Sequence, residues 1–330
     1  MKSLNIGILG TADIAKRAIL PNIKDLPSYY IITAIASRTM SKAQELADVY
    51  DAKAFPSYEE MINANCCDAI YLPLPNSLHY EYVMKCLEAG IHVLVEKPLA
   101  CSNREVIVIC QKAKEKGIVV VENFQFRFHQ QLATIQDMVT SGEIGEIRSF
   151  RSTFCFPPFP NTKTNIRYQS ELGGGALLDA GAYPIKIAQM FIPQPLSVKA
   201  ASLWIDPELG VDIWGGGVLE SESSSHFAQI AFGFDNFYQC NIEILGSKGK
   251  LYTNRIFTAK PSYKPTVLLE KRTGQKQIEL EPDNPYRNML LYFYELVVNR
   301  DPRQLEIEYQ ANIMQSKLLT EFKNLANEQQ

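Results

Sequence analysis

Through the first 121 residues, short apolar runs alternate with amphipathic segments, and few folds accept that pattern. Leu4-Asn5-Ile6-Gly7-Ile8-Leu9 is nearly continuous in apolar side chains, as expected of a strand covered on both faces of a parallel sheet. Similar runs follow at 30–36, 68–72, 91–95 and 118–121. Between them lie helical patterns at about 41–50, 78–89 and 103–116, the last two closed by Gly90 and Gly117. A further helical stretch runs up to Pro21. Strand and helix in alternation with short turns predict an α/β fold: a doubly wound parallel sheet with right-handed crossovers over residues 1–121.

The first turn has the context of a dinucleotide-binding loop. Gly10 follows a strand and opens a helix, although Ala12 and Ala15 stand where further glycines are usual. An ordinary βα turn is the plainer reading of so partial a motif. On the functional reading, Gly10, Thr11, Ala12, Asp13 and Ile14 are the candidate cofactor contacts. The end of the second strand selects the cofactor. It carries Ser37-Arg38, with Lys42 one turn into the next helix, where an acidic residue would favour NAD(H). A hydroxyl and two cations suit a 2′-phosphate, so NADP(H) is expected.

In open α/β sheets the ligand lies beyond the carboxyl ends of the strands. Two such ends carry unusual residues. Pro73-Leu74-Pro75-Asn76-Ser77-Leu78-His79 follows one strand. On the plain reading Asn76 or Ser77 is a helix cap and His79 a surface residue of the first turn. On the functional one Leu72 to Pro75, Leu74 among them, pass against the nicotinamide ribose with His79 close by. Glu96-Lys97-Pro98 follows another strand. On position alone a salt-bridged lysine is the commoner case. Yet Lys97 stands where a nicotinamide would lie, and hydride delivery to a ketone needs an acid for the developing oxyanion. Lys97 is the candidate proton donor and substrate contact, with Glu96 beside the cofactor.

After Val121 the pattern changes. Alternating segments at 148–154, 197–205, 211–219, 225–234, 237–245 and 250–257 predict an open, mainly antiparallel sheet. Helices are expected at about 129–140, 286–298 and 308–326, giving an α+β domain over 122–330. Its most informative stretch is Ile166-Arg167-Tyr168-Gln169 followed by Leu172-Gly173-Gly174-Gly175 and a helix bearing Asp179 and Tyr183, four residues apart and on one face. Asp179 either serves the helix start or meets the cofactor and reacting centre. Tyr183 is either half-buried packing or points its hydroxyl at a substrate carbonyl.

A net charge of −3 gives no basic footprint for nucleic acid, and no apolar run approaches the length of a membrane span. The start, Met1-Lys2-Ser3, leads directly into a strand pattern. With seven unpatterned cysteines, this gives the expectation of a cytoplasmic protein. The four histidines lack metal-ligand spacing, so no metal is expected.

Glu96-Lys97-Pro98, the Gly10–Ala15 turn and the Pro-x-x-x-His segment at 75–79 together resemble the glucose–fructose oxidoreductase, inositol dehydrogenase and rhizopine catabolism (Gfo/Idh/MocA) family over essentially the full chain. The resemblance implies that Lys97 is catalytic, that Asp179 and Tyr183 complete the site, and that the second-domain sheet covers the nicotinamide and binds substrate. Having Tyr183 where the family also uses His places proton transfer on Lys97, with Tyr183 as co-donor or orienter. Thr11–Arg17, Ile166–Gln169 and Arg255-Ile256-Phe257-Thr258 after Gly246–Leu251 are similar to nucleotide-diphosphate-hexose 3-ketoreductases of deoxysugar biosynthesis. By that similarity Arg17 and Tyr238 would contact substrate and Arg167 would lie at the cofactor. The segment 123–129 departs from the family run, with Gln130 in place of a proline. The implied activity is NADPH-dependent reduction of a keto group, at C3, on a nucleotide-linked deoxysugar. Alternatives are an NADP-dependent dehydrogenase of free aldoses or trans-dihydrodiols, and a non-catalytic NADP-binding regulator. A small-molecule substrate, no nucleic acid or membrane partner, and a homodimer or homotetramer complete the expectation.

Overall fold

The computed structural model describes residues 3–162 and 164–328, so Met1 and Lys2, at the start of the chain, lie outside the described residues. By packing, the chain divides into two compact units: residues 1–123 with 286–313, and residues 124–285 with 314–330.

In the first unit the chain runs β1 (Leu4–Leu9), α1 (Leu20–Lys24), β2 (Tyr30–Ala36), α2 (Met40–Tyr50), β3 (Lys53–Phe55), α3 (Tyr58–Asn63), β4 (Ala69–Leu72), α4 (Asn76–Glu88), β5 (His92–Glu96), α5 (Asn103–Lys116) and β6 (Val120–Asn123). Every strand pair is parallel, in the order β3-β2-β1-β4-β5-β6. The order reverses between β1 and β4, which places the ligand crevice of such a sheet at their carboxyl ends. The apolar runs are central strands; Ile6, Ile8, Val93, Leu94 and Val95 are wholly buried.

Local chemistry sets the helix ends. Ser102 and Glu105 form a reciprocal capping box at the start of α5, and Gly117 closes it in the left-handed conformation. At α4 the cap position is Pro75, not Asn76 or Ser77, so a capping role for either is set aside. The helix expected to end at Pro21 continues to Lys24. A π-turn over Ala15–Ile19 precedes it, with the Leu20 N–H bonded to the Ala15 carbonyl. This wider turn accommodates a proline that lacks an N–H and would crowd an ordinary helix. The sequence patterns did not reveal β3 or α3, because a three-residue strand and a six-residue helix are too short to show a period.

The second unit contains α6 (Gln130–Thr140), β7 (Ile147–Cys155), α7 (Ala182–Phe191), β8 (Leu196–Ile205), β9 (Asp212–Ser221), β10 (Phe227–Gly233), β11 (Gln239–Gly246), β12 (Gly249–Asn254), β13 (Thr266–Lys271) and β14 (Gly274–Glu279). The strands form one sheet, β14-β13-β12-β11-β7-β10-β9-β8, antiparallel except at β7–β10. One face carries the core, including Phe150, Phe232, Ile242 and Leu251. β13 and β14 lie outside the expected strands. β14 is an almost wholly exposed edge strand with no apolar alternation to read.

The helices α8 (Pro285–Asn299) and α9 (Pro302–Glu328) follow. α9 starts six residues before the expected 308: Pro302 suits a first helical turn, and the Asp301 carboxylate accepts from the Arg303 N–H at 2.9 Å. Residues 286–313, read from sequence as part of the second domain, pack in the first unit. The Tyr30 hydroxyl donates to the Leu290 carbonyl (2.6 Å), Tyr294 meets Tyr29 and Tyr30 edge-on, and the Tyr309 hydroxyl donates to the Ile118 carbonyl (2.7 Å).

Candidate active site

At the carboxyl end of β1, Gly10 has φ +122°, a conformation costly for any residue with a Cβ. A Cβ there would also lie 2.9 Å from the Leu74 side chain. Leu74 is thus a buried packing partner of the turn as well as a neighbour of the crevice. Thr11, Ala12 and Ile14 are half-buried around the turn, and the exposed Asp13 forms an ion pair with Arg17 (2.9 Å). At the end of β2, Ser37 is buried and its hydroxyl accepts from the Thr39 N–H (3.2 Å). Arg38 and Lys42 are exposed. With no carboxylate at the β2 terminus and two exposed cations beside it, this end of the sheet fits a 2′-phosphorylated dinucleotide.

Lys97 follows β5 directly and is 9% exposed. Its neighbours in sequence are held by buried groups. The Leu99 N–H donates to Glu122 Oε1 (2.9 Å), and His79 Nδ1 lies 2.7 Å from the Pro98 carbonyl. His79 Nε2 lies 2.8 Å from the Leu74 carbonyl. The neutral ring donates only one of these bonds at a time, and burial pushes it toward that neutral form. His79 is fully buried and ties the two strand-end segments together. The cofactor contact expected of His79 stays a proposal beside this structural role.

Glu96 is similarly engaged. Its Oε1 accepts from the Tyr71 hydroxyl (2.5 Å) and the Asn123 side-chain amide (2.6 Å). Burial pushes its carboxyl above the ordinary range while the two donors and Lys97 oppose that. Tyr286, from α8, titrates at about 12 because it is buried and because Glu96 is near, with Arg17 opposing. Tyr71, Asn123 and Tyr286 are members of this cluster that sequence reasoning missed. Tyr71 and Asn123 sit at strand ends already flagged as ligand-facing, a usable signal; Tyr286 gives none.

In the second unit, the backbone N–H groups of Gly174 and Gly175 donate to the Gln169 and Arg167 carbonyls (2.9 and 2.8 Å), folding the glycine run onto the Arg167 loop. Gly175 has φ +112°, and a Cβ there would meet the Asp212 carboxylate. Asp212 accepts from the Leu177 N–H (2.5 Å) and so caps the helical segment that carries Asp179 and Tyr183. That segment begins as a π-turn, Leu177–Gly181, again ahead of a proline, Pro184. Arg167 Nε donates to Asp179 Oδ2 (2.6 Å) and its guanidinium lies 4.5 Å over Phe159. The Tyr183 ring packs among Phe124, Phe126, Phe154 and Phe257 at 5.1–5.9 Å. The Tyr238 hydroxyl bonds Thr258 Oγ1 (2.7 Å) beneath Arg255.

A doubly wound sheet with a phosphate-suited β2 terminus and a nearly buried lysine at a strand end defines a nicotinamide-dinucleotide-dependent oxidoreductase. The chain belongs to the Gfo/Idh/MocA oxidoreductases. Residues 4–124 match the model of the oxidoreductase family with NAD-binding Rossmann fold, and residues 132–252 match the model of the Gfo/Idh/MocA C-terminal domain. It is 36% identical over 302 residues to a dTDP-3,4-didehydro-2,6-dideoxy-alpha-D-glucose 3-reductase of Actinomadura kijaniata, covering 91% of this chain and 90% of that one. It is 30% identical to a D-xylose 1-dehydrogenase (NADP(+)) of Haloferax volcanii, covering 94% of each. A crystal structure of a 3-ketoreductase from Actinomadura kijaniata in complex with NADP and TDP-benzene superposes with a TM-score of 0.93, at 34% identity and over 98% of each chain.

Proposed function

We propose that this chain is an NADPH-dependent 3-ketoreductase of a nucleotide-linked deoxysugar. The observation that carries the reading is Lys97, nearly buried at a carboxyl-end strand terminus whose flanking backbone is fixed by His79 and Glu122. The similarity to reductases of dTDP-linked ketosugars supports the substrate class. Gly10 to Ile14 would take the pyrophosphate, and Ser37, Arg38 and Lys42 the 2′-phosphate. Bound NADPH supplies the hydride to the carbonyl carbon. Lys97 Nζ holds the proton that the carbonyl oxygen takes up, and Glu96 fixes the strand end from which Lys97 projects. The Tyr183 hydroxyl orients the carbonyl, and Asp179, itself held by Arg167, orients the ribose. Arg17 and Tyr238 remain the proposed substrate contacts carried over from the resemblance. We infer further a cytoplasmic setting, consistent with seven cysteines of which none is in a disulfide, and a homo-oligomer.

The test is NADPH oxidation against nucleotide-linked ketosugars and free sugars. We expect turnover of the former, preference for NADPH over NADH, weaker NADPH binding in Arg38→Ala, and a kcat loss of about 10²-fold or more in Lys97→Ala. Unimpaired turnover by Lys97→Ala would remove the mechanism. Activity confined to free aldoses would favour the second reading, which the 30% identity to a xylose dehydrogenase keeps in view.

A further inference from the structure

Arg255 is an arginine in the left-handed region, φ +56°, where side chains other than Asn and Asp are seldom found. The other arginine in this state, Arg300, is accounted for within the first unit by its bonds to the Val297 carbonyl and His92 at the end of α8. Arg255 is held by a different contact, the ring of Tyr238. Its backbone turns the chain out of β12 into a turn closed by the Thr258 N–H on the Arg255 carbonyl (3.2 Å). The guanidinium lies 4.6 Å over the Tyr238 ring, and Nη1 donates to the Tyr238 hydroxyl at 3.3 Å. The residue is exposed, and among the described residues no carboxylate pairs with it. Arg17, by contrast, already carries Asp13.

This is a cation laid flat on an aromatic face with one of its five donors used. Its place in the second unit is specific: Phe257, two residues on, packs against Tyr183 at 5.4 Å, and Thr258 bonds Tyr238. Tyr183, Phe257, Thr258, Tyr238 and Arg255 thus lie along one run of neighbouring contacts in the second unit. We propose that Arg255, backed by Tyr238, binds the diphosphate of the nucleotide-linked substrate and sets specificity for such sugars over free ones. The inference rests on the substrate class proposed above. The dinucleotide also contains a diphosphate, so NADPH is titrated separately.

Calorimetric titration of TDP and, separately, of NADPH into wild type, Arg255→Gln and Arg255→Asn tests this. Asn tolerates the left-handed backbone, so that variant keeps the turn. We expect the TDP Kd to rise about ten-fold or more in both variants, which corresponds to about 1.4 kcal/mol, with the NADPH Kd unchanged. Wild type that binds TDP alongside variants that bind it equally well would overturn this assignment alone, as would a loss falling on NADPH. Wild type that binds NADPH but not TDP would overturn both the assignment and the nucleotide-linked substrate class.

Discussion

Around Lys97, each neighbouring polar side chain has a partner, and the partners come from distant positions. Glu96 takes two donors on a single oxygen, from Tyr71 on β4 and Asn123 on β6. Those bonds matter because a buried carboxylate with too few donors is driven to take up a proton. Tyr71→Phe removes one of them while conserving the ring, so its effect reads the hydrogen bond rather than the packing. We expect a stability loss of about 1–3 kcal/mol by urea unfolding, the range for a buried polar group that loses its partner. We also expect a change in the pH profile of kcat that Lys97→Ala does not share. A variant as stable as wild type would show that Asn123 alone suffices for Glu96.

Among the elements, the helices that follow the two glycine turns share a device. Each passes through a π-turn before a proline, Pro21 in one and Pro184 in the other, and each begins beside candidate site residues. The inserted residue moves the side chains after it around the helix axis, so Tyr183 is aimed by a proline that a sequence reading takes only as a breaker. β5 carries a different constraint. His92 is buried, its Nδ1 accepts from the Val119 N–H (2.9 Å), and Arg300 stands beside it. Burial first, and then Arg300, push its pKa from 6.5 down to about 4. The unfolded chain therefore binds more protons in this window. The stabilisation is full above about pH 6.5 and is lost as pH falls through about 4, by at most about 3 kcal/mol. Urea midpoints between pH 4 and 7 should fall less steeply in His92→Gln than in wild type; equal slopes would exclude His92 as the source.

For the whole molecule, the eight-stranded sheet offers the surface for assembly. Trp204 and Trp214 pair across β8 and β9 and stack at 4.1 Å with rings nearly parallel, yet remain 40% and 37% exposed. Two exposed indoles on one sheet face are a costly surface to leave in water. We expect light scattering to give a dimer or tetramer at micromolar concentration, and a Trp204→Lys, Trp214→Lys double variant to shift toward monomer. A monomeric wild type would sink this expectation.

Much of the first unit was legible because a strand covered on both faces must be apolar throughout, and because Gly10, Gly90 and Gly117 mark turns by their backbone freedom. The phosphate-suited end of β2 was legible for the same local reason: one residue after a strand decides which charge can sit there. The edge strands β13 and β14 were not, since exposed strands carry little alternation. Nor was the packing of residues 286–313 in the first unit, which depends on aromatic surfaces far apart in sequence. At the site, the sequence by itself determined that a lysine follows β5 and that an aspartate and a tyrosine lie four residues apart on one helical segment. Only tertiary structure decided that His79 is a buried tie, that Tyr71 and Asn123 hold Glu96, that Asp212 caps the Tyr183 helix and that Arg255 lies on Tyr238. His79–Leu74 apart, those contacts join residues 17 to 35 positions apart, and no local period encodes the register and packing that bring them within bonding distance.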